Sequence, residues 1–196
     1  ALSGQYNGNG YNITGLYISS TTSGGASFGL FSTMNASSSV SNLNLVSVSV
    51  TAAGLNVGAL AGNVSGAISN CTSSGTVTTG AAAIAQNVIM GGLVGNLASG
   101  GTITTSRSTA SVTWGTSSLS GTRTVEIGGL VGNTSGTSIS LSSYVGTISA
   151  TETLGTFTVN AVGGLVGAVT SGTVTQSYAI PTMTVTPGTS LGPQNI

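Results

Sequence analysis

Short runs in which apolar and polar residues alternate recur along the chain, and the runs resemble one another. In SVSNLNLVSVSV from Ser39, AISNCTSSGTVT from Ala67, TITTSRSTASVT from Thr102, SISLSSYVGTIS from Ser138 and TVTQSYAIPTMT from Thr173, apolar residues alternate with hydroxyls. A period of two is that of a β-strand with one face buried, and helical spacing fits none of these runs. Val40, Ile68, Ile103, Ile139 and Val174 form one inward column. Val77, Val112, Ile148 and Met183 form a second, nine residues further on. Cys71, Ser106, Ser142 and Ser177 recur between the two columns, where a sharp corner in a narrow core admits only a small side chain.

A second block precedes each run. GALAGN (58–63), GGLVGN (91–96 and 128–133) and GGLVGA (163–168) share a leucine, and FGLFST is the divergent first copy. Leu30, Leu60, Leu93, Leu130 and Leu165 fall 30 to 37 residues apart, a period that marks a repeat architecture. The glycine and asparagine that close each block predict a turn with positive φ. One such unit cannot bury its own apolar face, but stacked copies bury a continuous core with like residues about 4.8 Å apart. The expected fold is all-β: a parallel β-solenoid, or β-helix, of right-handed sense with about five repeats. Each repeat is one wide coil or two narrow ones. Residues 1–27 are read as a cap or first coil, 28–185 as the repeat array and 186–196 as a tail or linker.

Composition narrows the chemistry. Of 196 residues only Arg107, Arg123, Glu126 and Glu152 are charged, with no Lys, Asp or His, and the formal net charge is zero. Ordinary domains carry roughly 25% charged residues. Solubility then rests on 32 serines and 31 threonines, while 32 glycines permit tight turns. Two arginines make no stripe for phosphates, so nucleic acid is not an expected partner. One Cys, two Glu and no His furnish no ordinary metal site, and no cofactor is expected. A single cysteine forms no disulfide within the chain, and Cys71 is expected to be a packing residue. The stretch 81–98 is apolar, but Gln86, Asn87, Asn96 and three glycines interrupt it, so no membrane span is expected.

Glu126 and Glu152 are the only candidates for a carboxylate pair that could hydrolyse a polysaccharide, and both are read as solvated surface groups. Ser27 and Ser190 sit in G-x-S-x-G strings, yet no histidine exists to complete a triad. No catalytic residue is therefore expected. Thr102, Thr104, Ser138, Ser140, Thr173 and Thr175 flank the first inward column and form a candidate hydroxyl binding face, and similar hydroxyls flank the second. Tyr144, Tyr178 and Trp114 are candidates for stacking on sugars, with packing the alternative for Tyr144 and Tyr178. Asn12, Asn35, Asn63, Asn70 and Asn133 open N-glycosylation triplets, with Asn63 and Asn133 equally suited to an asparagine ladder with Asn96.

The units GGLVGN plus TITTSRSTASVT, and GGLVGA plus TVTQSYAIPTMT, resemble the GLUG repeat of bacterial secreted and surface-exposed adhesin-type proteins. LSGQYNGNGYNITGLYI, residues 2–18, is similar to the F-x-G-x-F-D-G-N-G-H-x-I-x-G-L segment that opens such arrays, with Tyr6 for Phe, Asn7 for Asp and Tyr11 for His. The resemblance implies a non-enzymatic, extracellular or cell-surface protein, structural or adhesive, part of a surface adhesin or filament. Ice or glycan binding by the solenoid faces is the alternative, with a polysaccharide-degrading enzyme behind it. Near-zero charge and few edge-blocking residues add an expectation of end-to-end self-association into rods or filaments.

Overall fold

The protein, described here by a computed structural model covering residues 1–79, 87–116, 124–152 and 158–186, is all-β over those residues. Three parallel sheets wind into a solenoid, and one repeat makes one wide, three-sided coil. The arch face holds five strands, Phe31–Met34, Ala61–Val64, Val94–Leu97, Val131–Thr134 and Val166–Val169. Five rungs on this face leave four complete turns between the first and the last. The short face holds six strands, from Gln5–Asn7 through Ser39–Ser41, Ala67–Ser69, Thr102–Thr104 and Thr137–Ser140 to Gly172–Thr175. All remaining strands form the long face.

Repeat length varies mainly in the long face, with a smaller difference between the arch and the short face, where two residues part Val64 from Ala67 and four part Leu97 from Thr102. In the second coil the long face is a single strand, Asn44–Gly58. In the next coil the corresponding chain is Thr72–Thr78 and Val88–Gly91, with an insertion between them, and the two later coils are divided at the same place. The inward column Val40, Ile68, Ile103, Ile139 and Val174 nevertheless stays in register, partner to partner, down the short face. The short-face ladders are not shifted by these insertions, whereas the long face takes up a register shift between Val125 and Glu126.

Parallel coils stack like on like, so the columns read from the sequence become the core. Leu60, Leu93 and Leu130 are fully buried, as are Val40, Ile103, Ile139, Val77, Val112 and Ile148. Large rings fit where the adjoining rungs are small: Tyr144 pairs with Ser108 on one side and Ala179 on the other, and Trp114 pairs with Ala150.

The turn geometry differs from the expectation. The glycine and asparagine closing each arch block lie in strands, and none of them has positive φ. The motif is instead a tight arch. A Cβ on Gly91, Gly128 or Gly163 would fall on the carbonyl oxygen of Val94, Val131 or Val166 three residues on. One on Gly95 would meet the backbone of Val57 and Asn56 on the strand that faces it. The left-handed residues occur where the short face turns into the long face, at Asn42, Asn70, Thr105, Leu141 and Gln176, with φ between 48° and 52°.

Candidate functional site

At that left-handed corner the chain turns inward at once, and in the interior coils the residue that follows is buried: Leu43 after Asn42, and a small residue in the later ones. Cys71, Ser106, Ser142 and Ser177 come directly after Asn70, Thr105, Leu141 and Gln176. Each serine hydroxyl donates to the carbonyl two residues earlier, at 2.7–2.8 Å, and accepts a backbone N–H from the coil before it at 3.1 Å. The Cys71 thiol takes the donor role more weakly, reaching the Ser69 carbonyl at 3.3 Å. Burial pushes this thiol above its ordinary pKa, against two backbone contacts that lower it, so it is held as the inert neutral form. Size alone made these positions visible in the sequence; their hydrogen-bonded ladder did not show there.

The candidate hydroxyl face is assembled as the spacing implied. Thr102 and Ser138 pair across neighbouring coils, as do Thr104 and Ser140, and both pairs continue to Thr173 and Thr175. These side chains flank the buried column and point outward, half-buried in the interior coils and exposed in the last. Thr173 Oγ1 donates to Ser138 Oγ at 3.5 Å. The long face carries a second array, in which Thr51, Thr78, Thr113, Ser149 and Thr184 stand in one continuous column.

Trp114 is corrected as a stacking ring, and Tyr144 takes its packing alternative. Trp114 and Tyr144 are fully buried, whereas Tyr178 is 57% exposed. Tyr178 pairs with Ser143, one position away from Tyr144, and strand alternation therefore sends the two tyrosines to opposite sides of the sheet. The Tyr144 hydroxyl lies 3.0 Å from the Ala110 carbonyl and 2.9 Å from that of Thr147, and burial pushes its pKa up to about 12.

One of the two carboxylates also differs from the reading. Glu126 is a half-buried residue within the strand Thr124–Gly128, where its Oε2 accepts a hydrogen bond from Asn133 Nδ2, so it is no freely solvated group. Glu152 ends the strand Ser143–Glu152, next to Thr116 in the ladder, and its side chain lies outside the described residues. Ser27 is a strand residue whose hydroxyl accepts from Asn56 Nδ2 at 3.2 Å, and Ser190 lies outside the described residues, as does the stretch 187–196 of the expected tail. Among the described residues no group of three or more His, Cys, Asp or Glu side chains could hold a metal ion, and no helix is long and apolar enough to cross a membrane.

The glycosylation triplets divide by environment. Asn12, Asn35 and Asn70 are exposed, while Asn63 and Asn133 stand half-buried on the arch face. Asn96 Nδ2 donates to Asn63 Oδ1 at 2.8 Å, the ladder that the sequence suggested. It stops at Asn133, whose amide turns to Glu126, leaving Asn133 Oδ1 buried without a partner.

A second amide ladder runs along the left-handed corner and was not anticipated. Asn70 Nδ2 donates to Asn42 Oδ1 at 2.8 Å, and Asn42 Nδ2 donates to Asn7 Oδ1 at 3.0 Å. Asn7 Oδ1 also accepts the Asn9 backbone N–H at 2.9 Å. Two donors thus converge on one oxygen, so the Asp that the resembling segment carries here would fit without rearrangement. Asn7→Asp is expected to keep the fold and to stabilise it at neutral pH by no more than about 1 kcal/mol, the position being exposed. That gain should vanish as the carboxylate protonates in acid. Urea midpoints at pH 7 and pH 3 check it, and destabilisation at pH 7 would contradict the donor geometry.

The GLUG motif, as a family model, matches residues 53–78, an interval that runs from the end of the long-face strand Asn44–Gly58 over the arch and the short face to the long-face strand Thr72–Thr78 of the next coil. The chain therefore carries a GLUG repeat, and the neighbouring coils stack on it in register. No curated protein and no solved structure matches the chain.

Proposed function

We propose that this protein is a non-enzymatic repeat module of an extracellular or cell-surface assembly, structural or adhesive in role. The observation that carries the reading is the pair of continuous, in-register hydroxyl faces on a stack of parallel coils. Such faces present a regular array of neutral donors and acceptors, suited to broad contact with uncharged surfaces. With so few charges, salt has little to screen. A chain without His, Asp or Lys offers little for general acid–base catalysis.

Self-association end to end belongs to the same reading. In the last coil Val174 is 40% exposed, whereas its partner Ile139 one coil earlier is fully buried. Val169 is 53% exposed in the same coil. A further coil seated there, contributed by a second copy, would cover them and extend the ladders. Light scattering and negative-stain microscopy across a concentration series test this. Rods should lengthen with concentration, in low and high salt alike, and the pair Gln5→Lys with Ser19→Lys on the first coil should shorten them. A chain that remains monomeric throughout sinks the self-association. The continuous threonine-rich column on the long face favours ordering of water, as in ice binding, as a second reading. Thermal hysteresis abolished by Thr113→Tyr would promote that reading over the first.

A further inference from the structure

The first coil differs from the others at the left-handed corner. Between the strands Ser39–Ser41 and Asn44–Gly58 the corner takes two residues, and between Ala67–Ser69 and Thr72–Thr78 again two. Between Gln5–Asn7 and Asn12–Thr14 it takes four, Gly8 to Tyr11. The longer turn is fixed by its own bonds. Asn9 and Gly10 have φ of 50° and 79°, Gly10 N–H donates to the Asn42 carbonyl at 2.8 Å, and Tyr11 N–H donates to the Gly8 carbonyl at 2.8 Å. Where the next corners bury Leu43 and Cys71, this one leaves Tyr11 76% exposed.

A second ring stands on the same coil. Tyr17 is 71% exposed and pairs with Ser49, in a column that continues with the hydroxyl of Thr76. Among the described residues only the first coil places an aromatic ring at this outward position. The ladder of Asn7, Asn42 and Asn70 runs along the corner that carries Tyr11, and the exposed Asn12 follows Tyr11 directly. No charged side chain occurs in the sequence before Arg107.

We propose that this corner of the first coil is a binding site for neutral glycans. Rings held on a stiff backbone give apolar stacking area at low entropic cost, and Asn amides supply paired donors and acceptors for adjacent sugar hydroxyls. The absence of charge selects against acidic sugars. Tyr17 lies six positions after Tyr11, so the two are at most about 20 Å apart along the chain, within the reach of a short oligosaccharide. The site rests on the adhesive reading above and gives it a partner.

Saturation-transfer NMR on the full chain, with neutral gluco-, manno- and galacto-hexasaccharides and acidic oligogalacturonate as the charged control, tests it. At least one neutral hexasaccharide should receive saturation and the acidic one should not. Tyr11→Ala and Tyr17→Ala should each weaken binding at least fivefold, with circular dichroism unchanged. Tyr178→Ala, an exposed tyrosine on the last coil, should leave binding as it is. Binding that survives both first-coil variants, or falls equally in Tyr178→Ala, overturns the site while leaving an adhesive role elsewhere on the faces. Failure of all three neutral hexasaccharides to bind overturns the site as well, and rods that still lengthen with concentration would keep the structural reading.

Discussion

Gly128→Ala is expected to cost at least about 3 kcal/mol, the upper end of what overpacking costs, because the new methyl group meets backbone on both sides of the arch. Its Cβ would fall on the Val131 carbonyl oxygen, with the Gly167 backbone nitrogen 2.6 Å away. The backbone around both atoms is tied between coils, since Val131 N–H donates to the Leu165 carbonyl at 3.1 Å and Leu130 N–H to the same oxygen at 2.9 Å. Gly115→Ala is the matched control. A Cβ there meets nothing within 4 Å, and the position has no positive φ. That variant should be neutral or gain about 0.4–1 kcal/mol by restricting the unfolded chain. Urea unfolding of both variants measures the contrast. Equal stability would show that the arch can open, against the close approach described.

The second large effect is expected at Tyr144. Tyr144→Ala should cost about 3–5 kcal/mol by leaving a cavity in a core whose adjoining rungs carry only Ser108 and Ala179. Tyr144→Phe keeps the ring and loses the hydroxyl bonds to Ala110 and Thr147, at about 1–2 kcal/mol. The buried phenol also sets an alkaline limit. Its folded pKa, pushed up to about 12 by burial, lies above the ordinary value of 10.0, so the folded state keeps a proton that the unfolded state gives up. The stability that depends on the neutral phenol is complete below about pH 10 and is lost as pH rises toward 12, on the order of 2 kcal/mol over that window. Cys71, raised from 9.0 by the same cause, adds loss in the same direction. Tyr144→Phe should flatten the fall between pH 10 and 12 in urea midpoints. A profile as steep as that of the parent would place the alkaline sensitivity elsewhere.

The columns were legible because a solenoid repeats one environment. Val40, Ile68, Ile103 and Ile139 occupy the same place in successive coils, so their side-chain type recurs at nearly constant spacing, and period two assigns each to the inner side. The hydroxyls flanking them followed from the same alternation, and so did the asparagine ladder from Asn63 to Asn96. Charge counting needed no fold at all.

What the chain alone left undecided depends on how neighbouring coils constrain one another. Thr105, Leu141 and Gln176 adopt a left-handed conformation that costs side-chain-bearing residues roughly 1–2 kcal/mol, and nothing in their identities announces it. The parallel ladders on either side impose it, since each coil must turn where the coil beside it turns. The arch glycines misled for the complementary reason: glycine serves both a positive φ and a close approach, and only the packed stack distinguishes the two. Tyr144 and Tyr178 look like equivalents at a loose alignment, but a register difference of one residue sends one into the core and the other to solvent. The sequence by itself determined the parallel β-solenoid, its inward columns and its neutral hydroxyl faces, because these are properties of one repeat. Only the tertiary structure decided the three-sided coil, the left-handed corner and the displayed tyrosines of the first coil, because these arise from backbone contacts between coils that no single repeat contains.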